Sequence, residues 1–203
     1  MGSICRMELC ECEAVRHFGA EGHSVYDSQS SCRICAGGYF WHILSHACSR
    51  KVYTAHGLSK MKLQQSMIQP LFSAFPKIKY EFGGILGGTD GVITQFYLDK
   101  GLEPESYCEY RPDVDALNAC IARWSEQGIE FYGMFHTHFG ASKTLSLSDQ
   151  SYIQAIMRAM PEEITQLYFP VILLPEKQIV SYIATRKQEQ ITIACDEISL
   201  VTI

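Results

Sequence analysis

The sequence lacks the features that mark several classes of protein. It has no excess of positive charge, because 17 Lys and Arg stand against 22 Asp and Glu, with a net charge of −5 and a pI near 5.8. Binding to a phosphate backbone needs a concentrated cationic surface, so nucleic acid is not an expected partner. No apolar run reaches the ~20 residues that span a bilayer, and no charged-then-apolar signal opens the chain. We therefore expect a cytoplasmic protein with no membrane partner.

The bulk composition is that of a folded protein. Hydrophobic residues make up 47% of the 203 residues and charged residues 19%, which excludes disorder throughout the chain. This length fits one principal core with a small appendage.

Cysteine is unevenly distributed. Six of the nine cysteines fall within the first 48 residues. An odd total without a secretory signal argues against a disulfide framework. Four of them are candidate ligands of a second, structural metal, although their spacing fits no standard zinc module and reduced thiols are the favoured alternative. These four are Cys10, Cys12, Cys32 and Cys35.

A change of composition near residue 60 predicts a boundary between two parts of the chain. Residues 1–59 form a Cys/His-rich N-terminal extension without sustained periodicity, and residues 60–203 form the principal domain. An alternative hypothesis makes the extension a separate zinc-binding module that delivers substrate to this domain.

From residue 60 onward, helical and strand patterns alternate. Residues 61–75 show a helical repeat that Pro70 kinks or ends. We further predict a β-hairpin over 80–98, a helix from Pro112 to Gly128, a strand over 129–138, a helix over 148–160 and strands over 167–174, 179–185 and 191–203. Since the elements follow no strict βα repeat, we expect an α/β fold whose mixed β-sheet is flanked by helices.

The segment between residues 133 and 150 carries metal-binding residue types. His136 and His138 are two apart on a predicted strand, so both imidazoles point to the same face. Asp149 lies where the following loop enters a helix, from which it can fold back toward them. Two histidines, one carboxylate and a water make a tetrahedral catalytic zinc site with one open position. Ser146, at the helix entrance, can cap the helix or donate to an oxyanion.

These residues resemble a known motif. His136-Thr137-His138, seven intervening residues, Ser146, two more residues and Asp149 match the JAMM motif of the MPN-domain metalloproteases. The resemblance covers about residues 60 to 203 and implies the cytidine-deaminase-like MPN/JAB fold, with zinc (Zn2+) held by the two histidines and the aspartate. It also implies a catalytic role for Glu81, which precedes a glycine-rich strand as the family's glutamate does. In the family this carboxylate takes a proton from the zinc-bound water and passes it to the leaving amine.

The resemblance implies a function as well. Family members are isopeptidases or peptidases that cleave after the C-terminal glycine of a ubiquitin-like protein, so the expected partner is such a protein or its conjugates. The short connections in this chain are similar to those of compact prokaryotic members, which leaves open a hydrolase that releases an adduct from a sulfur-carrier protein. A non-catalytic MPN scaffold is the other alternative, and the complete set of ligands disfavours it.

Overall fold

The computed structural model describes residues 60–76, 80–102, 110–140 and 142–202. Within them the chain forms nine strands and three α-helices. The strands are β1 (Met61–Gln64), β2 (Gly83–Thr89), β3 (Val92–Leu98), β4 (Glu130–Phe139), β5 (Gln166–Tyr168), β6 (Val171–Leu174), β7 (Gln178–Lys187), β8 (Gln190–Asp196) and β9 (Ile198–Val201). The helices are α1 (Ile68–Ala74), α2 (Val114–Glu126) and α3 (Leu147–Ala159), and a 3-10 turn over Gln65–Met67 leads into α1.

The predicted N-terminal extension over residues 1–59 lies outside the described residues. The same is true of Cys10, Cys12, Cys32 and Cys35. The domain boundary near residue 60 and the second, structural metal site therefore stay predictions.

The strands form one mixed sheet, in the order β5-β7-β6-β4-β2-β3-β1-β9, with β8 paired to β7 outside this path. β2 is antiparallel to β3 and β4, whereas β4 is parallel to β6 and β1 is parallel to β3 and β9. Consecutive strands β8 and β9 thus lie at opposite ends of the sheet. The sheet curls to allow this, since the Met61 N–H donates to the Asp196 carboxylate (2.8 Å) and the Ser181 hydroxyl donates to the Met61 sulfur (3.5 Å).

The core has two layers, one on each face of the sheet. One buried cluster joins the sheet to α2 and α3 and includes Leu117, Ile153 and Met134. The other joins the opposite face to α1 and includes Leu71 and Phe135. The expected mixed sheet flanked by helices is confirmed.

The two longer helices follow their predicted signals. Asp113 is the N-cap of α2, and its side chain accepts a hydrogen bond from the Ala116 N–H (3.1 Å). The buried residues of α2 include Leu117, Ile121 and Trp124 at helical spacing. α2 and α3 each have 13 residues. No helix in the described parts of the chain is long and apolar enough to cross a membrane.

The prediction of one helix over residues 61–75 is wrong in its first turn, which is the strand β1. Met61 and Leu63 are buried, whereas Lys62 between them is exposed, a strand alternation that pairing with β9 and β3 stabilises. Pro70 neither kinks nor ends α1. It is the third residue of that helix, where the backbone N–H would have no intrahelical partner in any case.

Two predicted strands are each divided in two. The strand expected over 167–174 breaks at Pro170, which has no N–H to donate to a ladder. The strand expected over 191–203 breaks at Glu197. The residues before it form β8 and pair with β7, whereas the residues after it form β9 and pair with β1. The predicted hairpin is confirmed, and its turn residues Asp90 and Gly91 have φ values of 53° and 77°, as a type I′ turn requires.

Candidate metal centre

A bulge at Gly133 decides which face the later side chains of β4 occupy. Phe131 and Met134 belong to the same buried cluster, although side chains three residues apart on a regular strand would face opposite ways. Gly133 has φ of 138°, and a Cβ there would lie 1.9 Å from the backbone oxygen of Tyr168, so only glycine fits. The side chains at positions 136 and 138 therefore share the face of Met134, which is covered by α2 and α3.

Three candidate ligands meet on that face, at the end of β4 and the start of α3. The Nε2 atoms of His136 and His138 are 2.9 Å apart. His136 Nε2 lies 3.5 Å from Asp149 Oδ1, and His138 Nε2 lies 3.8 Å from Asp149 Oδ2. One ligand atom from each residue falls within 4.8 Å of the others. This cluster could hold a metal ion.

A hydrogen bond on the outer side of His138 sets its tautomer. Its Nδ1 lies 3.0 Å from the backbone oxygen of Ser142. A carbonyl oxygen can only accept, so in the neutral imidazole this contact places the proton on Nδ1 and leaves Nε2, the atom that faces Asp149, as the acceptor. Metal-binding histidines are commonly held by such a bond from the second ring nitrogen. The geometry of His138 is therefore that of a ligand prepared for a cation.

The N-terminus of α3 holds Asp149 in place through a capping box. The Asp149 N–H donates to Ser146 Oγ (3.1 Å), and Asp149 Oδ2 accepts from the Ser146 N–H and from its hydroxyl, both at 2.7 Å. Ser146 thus caps the helix, which is one of its two predicted roles. Its other predicted role, donation to an oxyanion, stays a prediction.

The charges of the cluster are coupled. Burial raises the pKa of Asp149, but the adjacent imidazoles of His136 and His138 and the hydrogen bond from Ser146 outweigh it and hold that pKa well below its usual range. For His138, burial lowers the pKa, and the adjacent Asp149 carboxylate and the hydrogen bond to the Ser142 backbone raise it further than burial lowers it. The carboxylate is therefore ionised and in electrostatic contact with the imidazoles.

Glu81 lies beside this cluster, immediately before β2. Burial raises its pKa, the nearby imidazoles of His136 and His138 oppose that change, and the charge of Asp149 adds to it, so the net pKa is raised. Glu81 is thus a half-buried carboxyl group close enough to all three candidate ligands for their charges to act on it.

Thr137 ties Glu81 to the ligand strand. It lies between the two histidines with no exposed surface. Its hydroxyl accepts from the Phe82 N–H (2.8 Å), and its own N–H donates to the Phe82 oxygen (2.7 Å). The backbone next to Glu81 is therefore fixed to the strand that carries His136 and His138.

A small cleft borders Glu81. It is formed where the start of β2 meets the chain that follows β3. The ring of Tyr110 packs on the backbone of Gly83, and the Tyr110 hydroxyl donates to Asp99 (2.7 Å). The cleft is lined by Tyr80, Glu81, Phe82, Lys100, Gly101, Leu102, Tyr110 and Arg111.

The structure thus brings the five sequence-predicted residues His136, His138, Asp149, Ser146 and Glu81 to one place. Sequence reasoning did not assign a role to Thr137 and did not anticipate the bulge. The neighbouring sequence indicates neither of them. The hydrogen-bond partner of Thr137 is 55 residues away, and a lone glycine in a strand has several explanations.

No protein-family model matches the chain, and no curated protein matches it. Among solved structures, the chain is similar to protein DSY2949 from Desulfitobacterium hafniense, with 20% sequence identity, a TM-score of 0.51 and coverage of 70% of this chain and 94% of that chain. It is also similar to AF2198, a JAB1/MPN domain protein from Archaeoglobus fulgidus, with 17% identity, a TM-score of 0.38 and coverage of 70% of this chain and 99% of that chain. The similarity to DSY2949 shows a shared fold, and the TM-score for AF2198 is too low to extend the comparison.

Proposed function

We propose that the protein is a zinc-dependent hydrolase of the JAMM type that cleaves the amide bond after the C-terminal glycine of a ubiquitin-like protein. The observation that supports this most is the convergence of His136, His138 and Asp149 with Glu81 beside them. The α/β fold with a mixed sheet is compatible with the MPN fold that the motif implies.

The donor set suits zinc. Two imidazole nitrogens and one carboxylate oxygen are ligands of catalytic zinc sites, which keep the fourth position open. The two Nε2 atoms are 2.9 Å apart, and they lie 3.5 and 3.8 Å from Oδ1 and Oδ2 of Asp149, respectively, which is close to the edge of about 3.3 Å of a tetrahedral zinc site. A zinc ion bound there would lower the pKa of a coordinated water toward neutrality and polarise the substrate carbonyl.

Glu81 supplies the proton transfers. It accepts a proton from the attacking water and donates it to the leaving amine, which restores its ionised state. Burial, the largest effect on Glu81, raises its pKa above that of an ordinary glutamate. A group that must first take and then release a proton near neutral pH benefits from this change.

Ser146 and the start of α3 complete the site. The Ser146 hydroxyl donates to Asp149 Oδ2 and so fixes the carboxylate that would hold the metal. The N-terminus of α3 carries partial positive charge and stabilises negative charge on the substrate oxygen. Rotation of the Ser146 hydroxyl toward that oxygen would let it donate directly.

The substrate class rests on the motif. The amide linkage to the terminal glycine of a ubiquitin-like protein is the bond that metalloproteases with this His-x-His…Ser-x-x-Asp pattern cleave. The partner proposed for this chain is accordingly a ubiquitin-like protein or its conjugates.

Glu81→Gln, compared with His136→Ala, tests the proposal. We expect the wild-type protein to bind about one zinc per chain and to cleave a ubiquitin-like protein extended at its C-terminal glycine. Glu81→Gln should keep the zinc and lose at least about 100-fold in kcat, because the amide cannot accept the proton. His136→Ala should lose both the zinc and the cleavage. Metal content by elemental analysis and product formation by mass spectrometry provide the two measurements.

Glu126→Gln on the exposed end of α2 is the matched control, and it should keep both properties. Full cleavage by Glu81→Gln would remove Glu81 from the mechanism. Wild-type protein that binds zinc but cleaves none of a panel of ubiquitin-like and sulfur-carrier adducts would favour the scaffold alternative.

A further inference from the structure

Two consecutive carbonyl groups in the loop between β4 and α3 are bound by two different side chains. The Ser142 oxygen accepts from His138 Nδ1 (3.0 Å), and the Lys143 oxygen accepts from the Tyr182 hydroxyl (2.8 Å). The first bond belongs to the metal centre. The second connects the same loop to β7, which contributes none of the ligands.

The backbone of Tyr182 is held by the sheet and not by this loop. It lies within β7, paired with Cys195 of β8, and its backbone oxygen accepts from the Phe169 N–H (2.7 Å). Its ring packs against the buried cluster that also contains Leu145. Burial raises the pKa of the Tyr182 phenol, and a hydrogen bond from the Leu145 backbone partly opposes this. The hydroxyl is therefore presented to the loop from a fixed point in the sheet.

The loop determines how two of the ligands are placed relative to each other. It leaves β4 after Phe139, one residue beyond His138, and enters α3 at Leu147, two residues before Asp149. Leu145 is buried, and its backbone oxygen accepts from the Gln150 side chain (3.3 Å), which links the loop to the first turn of α3. A change in the loop path would alter both the imidazole of His138 and the carboxylate of Asp149.

We propose that Tyr182 is a positioning residue of the metal centre: its hydroxyl fixes the loop so that the Ser142 carbonyl holds His138 with Nε2 toward the metal. This inference rests on the proposed zinc-binding function. Tyr182 itself is not one of the candidate ligands, and it acts through the loop, which it contacts at the Lys143 carbonyl and the Leu145 backbone.

Tyr182→Phe removes the hydroxyl and retains the packed ring. Tyr132→Phe is the matched control, because the Tyr132 hydroxyl also binds a loop, accepting from the Gly91 N–H (2.7 Å) and donating to Glu130 (3.0 Å) at the other end of β4. Both variants remove a tyrosine hydroxyl that bonds a backbone group in a loop, and they differ in whether that loop joins the ligands.

The first measurement is zinc affinity of the full chain by competition with a chelator. We expect Tyr182→Phe to raise the Kd for zinc about three- to tenfold, as the loss of one hydrogen bond behind a ligand implies, and Tyr132→Phe to leave it unchanged. Urea unfolding of the metal-free proteins should show similar small losses of stability for both variants. The second measurement is ¹⁵N NMR of the imidazoles without metal, in which Tyr182→Phe should lower the population of the Nδ1–H tautomer of His138.

An unchanged Kd in Tyr182→Phe, or an equal rise in Tyr132→Phe, would overturn the positioning role. An unchanged tautomer population for His138 would do the same. Wild-type protein that binds zinc without cleaving any substrate would contradict the hydrolase function while the affinity comparison still decides the role of Tyr182. Absence of zinc binding by the wild-type protein would overturn both proposals.

Discussion

The two halves of β4, on either side of Gly133, use polar side chains in different ways. In the first half, the Tyr132 hydroxyl accepts from the Gly91 N–H and donates to Glu130, so its hydrogen bonds close within the strand and the neighbouring hairpin. In the second half, His136 and His138 direct their Nε2 atoms toward each other and toward the ionised Asp149.

The difference between the halves is one of charge balance. The first half satisfies its polar groups in a way that stabilises a turn. The second half gathers two imidazole nitrogens and a carboxylate, which are all able to act as acceptors, and a cation is the partner that such a group requires. The same strand thus contributes to stability at one end and to binding at the other, with the bulge between them.

The largest expected effect on stability comes from a substitution at the bulge between the two halves of β4. Gly133→Ala should destabilise the metal-free protein by about 3 kcal/mol or prevent folding, because the added Cβ would meet the Tyr168 backbone oxygen at 1.9 Å and φ is 138°. Gly140→Ala is the control: φ is 104° but no atom lies within 4 Å of the added Cβ, so the cost should be about 1 kcal/mol. Urea unfolding measures both, and equal losses would show that the close approach at Gly133 is unimportant.

Substitution of the N-cap of α3 has a smaller expected effect on stability, and it tests the half of β4 that carries the histidines. Ser146→Ala should cost about 1 kcal/mol of unfolding free energy, as should Asp113→Ala at the start of α2, because each removes an N-cap side chain. Only Ser146→Ala also removes a donor to Asp149, so only this variant should weaken zinc binding, by about threefold to tenfold.

Calorimetric unfolding and zinc competition measure the two quantities separately. If Asp113→Ala weakens zinc binding as much as Ser146→Ala does, the capping box at α3 has no special relation to the metal centre.

The same two halves show how far sequence reasoning reaches. The convergence of His136, His138 and Asp149 could be anticipated because it depends on local rules: alternation along a strand, and a helix that starts soon after it. Glu81 is different. Its place beside the histidines depends on the pairing of Gly83 with His136 between β2 and β4, which only the resemblance to a known motif suggested.

The fold divides in the same way. α2 and the hairpin turn were predicted from caps and turn residues, which act within a few positions. β1 was mistaken for helix because Met61 and Leu63 alternate over only four residues, and partners far along the chain decide their conformation. The break at Pro170 follows from the missing N–H and could have been predicted.

The smallest expected effect that distinguishes the two halves of β4 is the pH dependence of the stability of the metal-free protein. The folded pKa of Asp149 is lowered below its ordinary 3.8, so its stabilising contribution is present above about pH 4 and is lost as the pH falls further. The folded pKa of His138 is raised above its ordinary 6.5, so its contribution is present below about pH 6.5 and is lost as the pH rises through the raised value. The pair therefore stabilises the fold most between about pH 4 and pH 6.5.

In a chelating buffer, the Tm difference between the wild-type protein and Asp149→Asn should be largest in this window and should decrease on both sides. Asp115→Asn, an exposed substitution in the first turn of α2, is the control, and its difference should stay small at every pH. A Tm difference for Asp149→Asn that does not change between pH 4 and pH 8 would show that the carboxylate is not electrostatically coupled to His138. The second half of β4 would then differ from the first in geometry alone.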